Sequence, residues 1–258
     1  MQWLDVAGPP GVGKSALCDP IFGPHDVAPV DIAPPVEFHD FCNEVTRLLG
    51  LVRDHPSFVA AVRMNRRSMR KMAAVAQADY TEKWPDGFDL RLRAGGKHDL
   101  TIGYIQTGFV QRGLGFGWRL VDMGKPVEEL YHFFRLMPAS LGVVFLEADE
   151  ATLTERNKAR EKVKETSHEN RAFMAPLMAP AIEFAKEALR ERGVPVKCIS
   201  TTGDIDAARA ELVGFAEERA RDFKPHIKTV RPPYLEPRQP KASRHSGEAP
   251  VLSPPAWW

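Results

Sequence analysis

The sequence predicts an α/β protein with a parallel five-stranded sheet flanked by helices, and three observations predict it. Residues 2–7 are a short apolar run that leads into a glycine-rich turn and then a helical pattern. Beyond that turn, apolar runs bounded by turn residues alternate with helix-period segments, the arrangement of βαβ units covered on both faces. Finally, Gly142-Val143-Val144-Phe145-Leu146 is unbroken apolar sequence, as a strand buried on both faces requires.

Taken in order, strands are expected near 2–7, 27–32, 100–106, 141–147 and 195–200. Helices are expected near 14–19, 37–50, 56–79, 126–137, 149–160, 172–192 and 204–221. Asp149 stands where a side-chain oxygen would cap the helix that follows the central strand. From Lys224 onward eight prolines interrupt the chain, which forbids a regular helix or a central strand. Six Lys and Arg residues there face only Glu236 and Glu248. The reading is therefore two parts: a folded domain over 1–222 and a basic, Pro-rich, disordered tail over 223–258.

Composition narrows the classes. A chain of 258 residues with 43% hydrophobic residues supports a substantial core, and a net charge of +1 singles out no partner. Cys18, Cys42 and Cys198 are scattered without a CxxC or Cys/His cluster, which argues against a zinc site or disulfide framework. No apolar run approaches membrane-spanning length, and strand and motif begin at once, without a signal peptide. A soluble protein of the cytoplasm is expected, with no membrane partner.

The chemistry is concentrated in Gly8-Pro9-Pro10-Gly11-Val12-Gly13-Lys14-Ser15, the phosphate-binding pattern GxxxxGK[ST]. Glycines let backbone N–H groups turn inward to cradle a β-phosphate. Lys14 reaches the β and γ oxygens, the Ser15 hydroxyl ligates Mg²⁺, and the helix that follows points its positive end at the anion. ATP and Mg²⁺ are the expected ligands, with residues 8–15 as the binding segment.

Other users of this loop fit poorly. The guanine-reading NKxD motif is approached only by Asn157-Lys158-Ala159-Arg160, which lacks the aspartate. A strand ending in Asp-Glu is imitated by Glu147-Ala148-Asp149-Glu150, but its acids look like a helix start. The order of pieces instead resembles the nucleoside and nucleotide kinases, including thymidylate kinase. Phe145 to Arg160 looks like the strand, helix and lid segment of that family. Arg156 and Arg160, four residues apart on one helical face, would clamp the transferring phosphate, with Arg171 as a further candidate. Cys198–Asp204 resembles the last strand and loop that hold adenine. The resemblance thus implies a P-loop kinase fold with a helical lid.

The chain departs from that family at the third strand, where Gln106 or Thr107 replaces an aspartate. A metal carboxylate, if one is used, would come from Asp5 or Asp31. Asp31 is also the positional match for the base that accepts the acceptor's proton, with Glu37 next in line.

Two features speak to the acceptor. Arg63, Arg66, Arg67, Arg70 and Lys71 crowd one helix without an acid among them, which attracts a polyanion. Gln111 to Arg119 alternates glycines with Leu114, Phe116 and Trp118, a mobile backbone with aromatic faces for stacking a base. With the motif and the ERNKAR lid, this is similar to phage-encoded kinases of thymidine hypermodification, which phosphorylate 5-hydroxymethyluracil in DNA. A base in a duplex would have to flip out to be reached. That resemblance implies a DNA substrate and the host cytoplasm. The other readings are a free deoxynucleoside or nucleoside monophosphate kinase, and a nucleic-acid-stimulated ATPase.

Overall fold

The computed structural model describes residues 2–22, 39–63, 89–94, 98–106, 108–138, 140–163 and 171–222. Residues 1–222 form one compact unit, and 223–258 lie outside the described residues. The order is β1 (Gln2–Ala7), α1 (Lys14–Phe22), α2 (His39–Leu51), α3 (58–63), β2 (Asp89–Ala94), β3 (His98–Gln106) and α4 (Phe109–Asp122). A 3₁₀ turn (Val127–Leu130), α5 (Tyr131–Leu136), β4 (Gly142–Glu147), α6 (Glu150–Val163), α7 (Arg171–Glu191), β5 (Val196–Ser200) and α8 (Ile205–Asp222) complete it. No described helix is long and apolar enough to cross a membrane.

The strands run in the order β2-β3-β1-β4-β5. β3, β1, β4 and β5 are parallel, with Val6 opposite Gln106 on one side and Val144 on the other. β2 runs antiparallel, pairing Leu90 with Ile102. The expected sheet of five parallel strands is therefore corrected to four parallel strands and an antiparallel edge. The cause is connection length: residues 95–97 are too few for the crossover a parallel neighbour needs. Alternation in Asp89-Leu90-Arg91-Leu92-Arg93 suits an edge with one polar face. The strand expected at 27–32 lies outside the described residues.

Period-two alternation sends successive side chains to opposite layers. Leu4, Val6, Val144, Leu146 and Ile199 pack with α1, α6 and α8 through Leu17, Leu153, Leu212 and Phe215. Ala7, Val143 and Phe145 pack on the other face with α2, α4, α5 and α7. The carboxyl ends of β1 and β4 thus open between the two layers, which is where ligands bind in such sheets.

The largest departure from expectation is α4. Residues 111–119, read from the sequence as a mobile stacking loop, are helical, and Arg112 through Leu120 are buried without a break. Three glycines cost such a helix about 1 kcal/mol each relative to alanine. Burying Leu114, Phe116, Trp118 and Leu120 returns roughly 1.5–3 kcal/mol apiece, so packing overrides propensity. Gly113 and Gly117 lie one turn apart. A Cβ on Gly117 would sit 2.3 Å from the Ala181 Cβ, and one on Gly113 would sit 2.5 Å from the Phe134 ring. α4 can approach α7 and α5 this closely because those side chains are missing.

Candidate phosphate-binding site

β1 ends at Ala7, and the chain turns through residues 8–13 into α1, so the motif lies at the carboxyl edge of the parallel sheet. Gly11 and Gly13 adopt φ of +85° and +93°, the left-handed region that a side chain disfavours. Gly8 is required by contact: a Cβ there would lie 2.7 Å from the Leu146 carbonyl of β4. Leu17 N–H bonds to the Gly13 carbonyl at 2.9 Å, which starts α1 directly from the loop. The Lys14 ammonium donates to the carbonyls of Gly8 and Pro9 at 2.7 and 3.2 Å, folded back over the turn it belongs to. Ser15, next in the helix, is half-buried.

Three distant elements hold the outside of this loop. From α4, the Gln111 side-chain oxygen accepts the Gly8 N–H at 3.0 Å. From α6, Asn157 donates to the Pro10 carbonyl at 3.3 Å, and its amide covers Gly11, where a Cβ would lie 2.7 Å away. Arg156 donates to the Val12 carbonyl at 3.4 Å and to the Thr201 hydroxyl and carbonyl at 3.1 and 2.7 Å. From the end of β5, the Thr201 hydroxyl stands 2.6 Å from the Val12 carbonyl, while its N–H bonds to the Glu147 carbonyl at 2.7 Å. Thr202 and Thr152 then hold Asp149 at the head of α6. These bonds, the Thr152 N–H first, keep the Asp149 carboxyl below its ordinary range.

The residues read from the sequence divide accordingly. Gly8 through Ser15 form one continuous loop and helix start. Arg156 lies at that loop with its guanidinium committed to Val12 and Thr201. The side chains of Arg160 and Arg171 are outside the description, as are residues Asp31 and Glu37. Of the basic helix, Arg63 is exposed at the end of α3, and the other four residues fall outside.

Asp5, offered as a metal ligand, is corrected. It is completely buried, its Oδ2 accepts the Val110 N–H at 3.0 Å, and it lies under Gly108. Its carboxylate caps α4 from a neighbouring strand, a position from which it serves the helix rather than a cation. Arg112, one turn into α4, is buried beside it. Burial pushes that guanidinium down to about 9, while the Asp5 carboxylate holds it up, so it stays charged at neutral pH. Cys42 is pushed up to about 11 by burial, against Arg112, which leaves its thiol protonated.

Sequence reasoning missed Gln111, Asn157 and Thr201. Asn157 carries a signal, since it lies beside Arg156 on the segment that resembles a lid, but in sequence it stands out only as the start of an incomplete guanine motif. Gln111 was hidden by the mistaken loop.

No protein-family model matches the chain, and no curated protein matches it. Among solved structures, deoxyadenosine kinase from M. mycoides with bound dATP is similar over 83% of this chain and 98% of its own. The identity is 13% and the TM-score 0.42. The same kinase with bound dCTP is similar over 84% and 100%, at 13% identity and TM-score 0.45. At that level of likeness the site is read from its own residues.

Proposed function

We propose that this chain is an ATP-dependent phosphotransferase of the P-loop kinase type, acting on a hydroxyl of a nucleoside or nucleotide. One observation carries the reading. The GxxxxGK[ST] segment sits at the carboxyl end of a central parallel strand, with Gly11 and Gly13 in left-handed turns and Lys14 opening the helix. Such a loop presents N–H groups and a helix amino end to an anion.

On phosphate binding, Lys14 exchanges the carbonyls of Gly8 and Pro9 for β and γ oxygens. Mg²⁺ would be held by the Ser15 hydroxyl together with phosphate oxygens and water. Among the described residues no group of three His, Cys, Asp or Glu side chains could replace them. Mg²⁺, when bound, neutralises charge on the β and γ oxygens. In transfer, the acceptor oxygen forms a bond to the γ-phosphorus as the bond to the β–γ bridging oxygen breaks. The acceptor's proton passes to a carboxylate, for which Asp31 and then Glu37 are the candidates. Arg160 would supply positive charge to the transferring group from α6, and Arg156, committed to Val12 and Thr201, would act on it through the loop. Catalysis is assigned to residues 1–222, with 223–258 as a basic appendage.

The acceptor is better read as a free deoxynucleoside or nucleoside monophosphate than as hydroxymethyluracil in DNA. A base-stacking loop would have favoured a base drawn from a polymer, and 111–119 is instead the interior helix α4. The polymer reading retains the basic residues from Arg63 to Lys71.

Incubation with γ-labelled ATP and, in parallel, deoxynucleosides, monophosphates, plain DNA and hydroxymethyluracil DNA tests the reading. Label in a small molecule is expected. Label in hydroxymethyluracil DNA alone would restore the polymer, and label in free phosphate alone would make the protein an ATPase.

A further inference from the structure

We infer that Thr201 and Asn157 are positioning residues, which aim the amide hydrogens of Gly13 and Gly11 at the phosphate by holding the preceding carbonyls outside the loop. The inference deepens the proposed function and rests on it. A trans peptide is planar, with its C=O and following N–H pointing in opposite directions. Whatever fixes the Val12 carbonyl on the outer side therefore fixes the Gly13 N–H on the inner side. The same holds for the Pro10 carbonyl and the Gly11 N–H.

Glycine makes this outside support necessary. At Gly11 and Gly13 the backbone has no side chain to restrict it, so neither peptide orientation is locally enforced. Each outward carbonyl has a distant partner instead: Asn157 on Pro10, and Thr201 with Arg156 on Val12. Thr201 suits the task because it is nearly fully buried and its own backbone is tied to Glu147 of β4. A hydroxyl has one proton to give. The Val12 carbonyl at 2.6 Å is a nearer acceptor than the Glu147 carbonyl at 3.1 Å. Arg156, donating to the same oxygen at 3.1 Å, polarises the hydroxyl and strengthens its bond to Val12. The order guanidinium, hydroxyl, carbonyl is thus directional and ends on the loop. Asn157 adds a steric element, since its amide lies flat against Gly11 and is almost fully buried.

Binding titrations of Mg-ATP and of inorganic tripolyphosphate to the full chain test this. Both ligands are used because they share the phosphates and only one carries a base. Thr201→Val keeps the shape and removes the hydroxyl, leaving the Val12 carbonyl only the longer bond from Arg156 at 3.4 Å. Affinity for both ligands should fall about tenfold, with KM for ATP rising and kcat changing little. Thr201→Ser, which restores the hydroxyl, should return both affinities to within about twofold of wild type. Asn157→Ala should weaken both ligands in the same way, and decides the matter if Thr201→Val does not fold.

Wild-type affinity in Thr201→Val and Asn157→Ala would overturn the inference and leave the proposed function standing. So would a loss confined to ATP, which would place Thr201 at the base, or a Ser variant as weak as Val, which would reduce Thr201 to packing. A wild-type protein that binds neither ligand would overturn the proposed function and this inference with it.

Discussion

Gly11 and Gly13 lie in a turn at the carboxyl edge of the sheet, and Gly113 and Gly117 lie inside a buried helix on its face. At the first pair φ is +85° and +93°, and the absent side chain frees the backbone to take the left-handed turns that the proposed phosphate cradle uses. At the second pair the backbone is ordinary helix. There the absent side chain lets α4 meet Ala181 and Phe134 at distances where a Cβ would clash. The same residue type therefore serves ligand geometry in one place and packing in the other. The difference teaches that glycine density in a sequence marks close approach of something, and that the neighbours decide whether it is a ligand or another helix.

Substitutions should separate the two regions. Lys14→Ala is expected to have the largest effect, a loss of phosphate transfer of at least about a thousandfold, since electrostatic stabilisation of this kind is worth that much. Its melting temperature should stay near wild type, because Lys14 is half-buried at the loop and bonds to the carbonyls of Gly8 and Pro9 rather than to the core. Appreciable transfer by a folded Lys14→Ala protein would remove the loop from the chemistry. Gly11→Ala should come next, weakening nucleotide about a hundredfold. The new methyl meets the Asn157 amide and must also occupy a strained φ, together about 1–3 kcal/mol. Unchanged binding there would mean the loop tolerates another shape.

Gly117→Ala should act in the opposite manner. Alanine favours the helix by about 1 kcal/mol, but overpacking of this kind costs roughly 1–3 kcal/mol, and the clash is with a short side chain that cannot swing away. A net destabilisation of up to about 2 kcal/mol, read by denaturant unfolding, is expected with nucleotide affinity unchanged in the folded fraction. Ala181→Gly should recover part of it in the double variant, and additive losses would show that the two positions do not meet.

The smallest effect concerns Asp149, which reaches the loop only through α6. Its folded-state pKa lies below the ordinary 3.8, so its stabilising contribution is complete above about pH 4 and is lost as pH falls through the folded value. Asp149→Asn should therefore differ from wild type in melting temperature at pH 6, and the difference should shrink as pH falls below 3.8. A constant difference across that range would show that the charge is not what holds the head of α6.

Much of this organisation was legible from residues alone. The strand, the turn and the opening of α1 were, because the backbone N–H groups and the side chains of an anion-binding loop come from eight consecutive residues. β4 was legible because burial on both faces leaves an unbroken apolar run, α2 and α7 because their apolar residues recur at helical spacing, and α6 because Asp149 stands at its cap position. Tertiary structure alone decided the rest. Three glycines in nine residues argue against a helix until Ala181, Phe133 and Phe134 are there to fill the space, and those lie in other elements. Arg156 and Asn157 share a helix that reads as exposed and charged. Their partners Val12 and Pro10 stand 144 and 147 residues earlier, and Thr201 meets Val12 across 189 residues. A hydrogen bond of that separation leaves no periodicity and no local motif, so it exists only once the sheet has brought the ends of β1, β4 and β5 side by side.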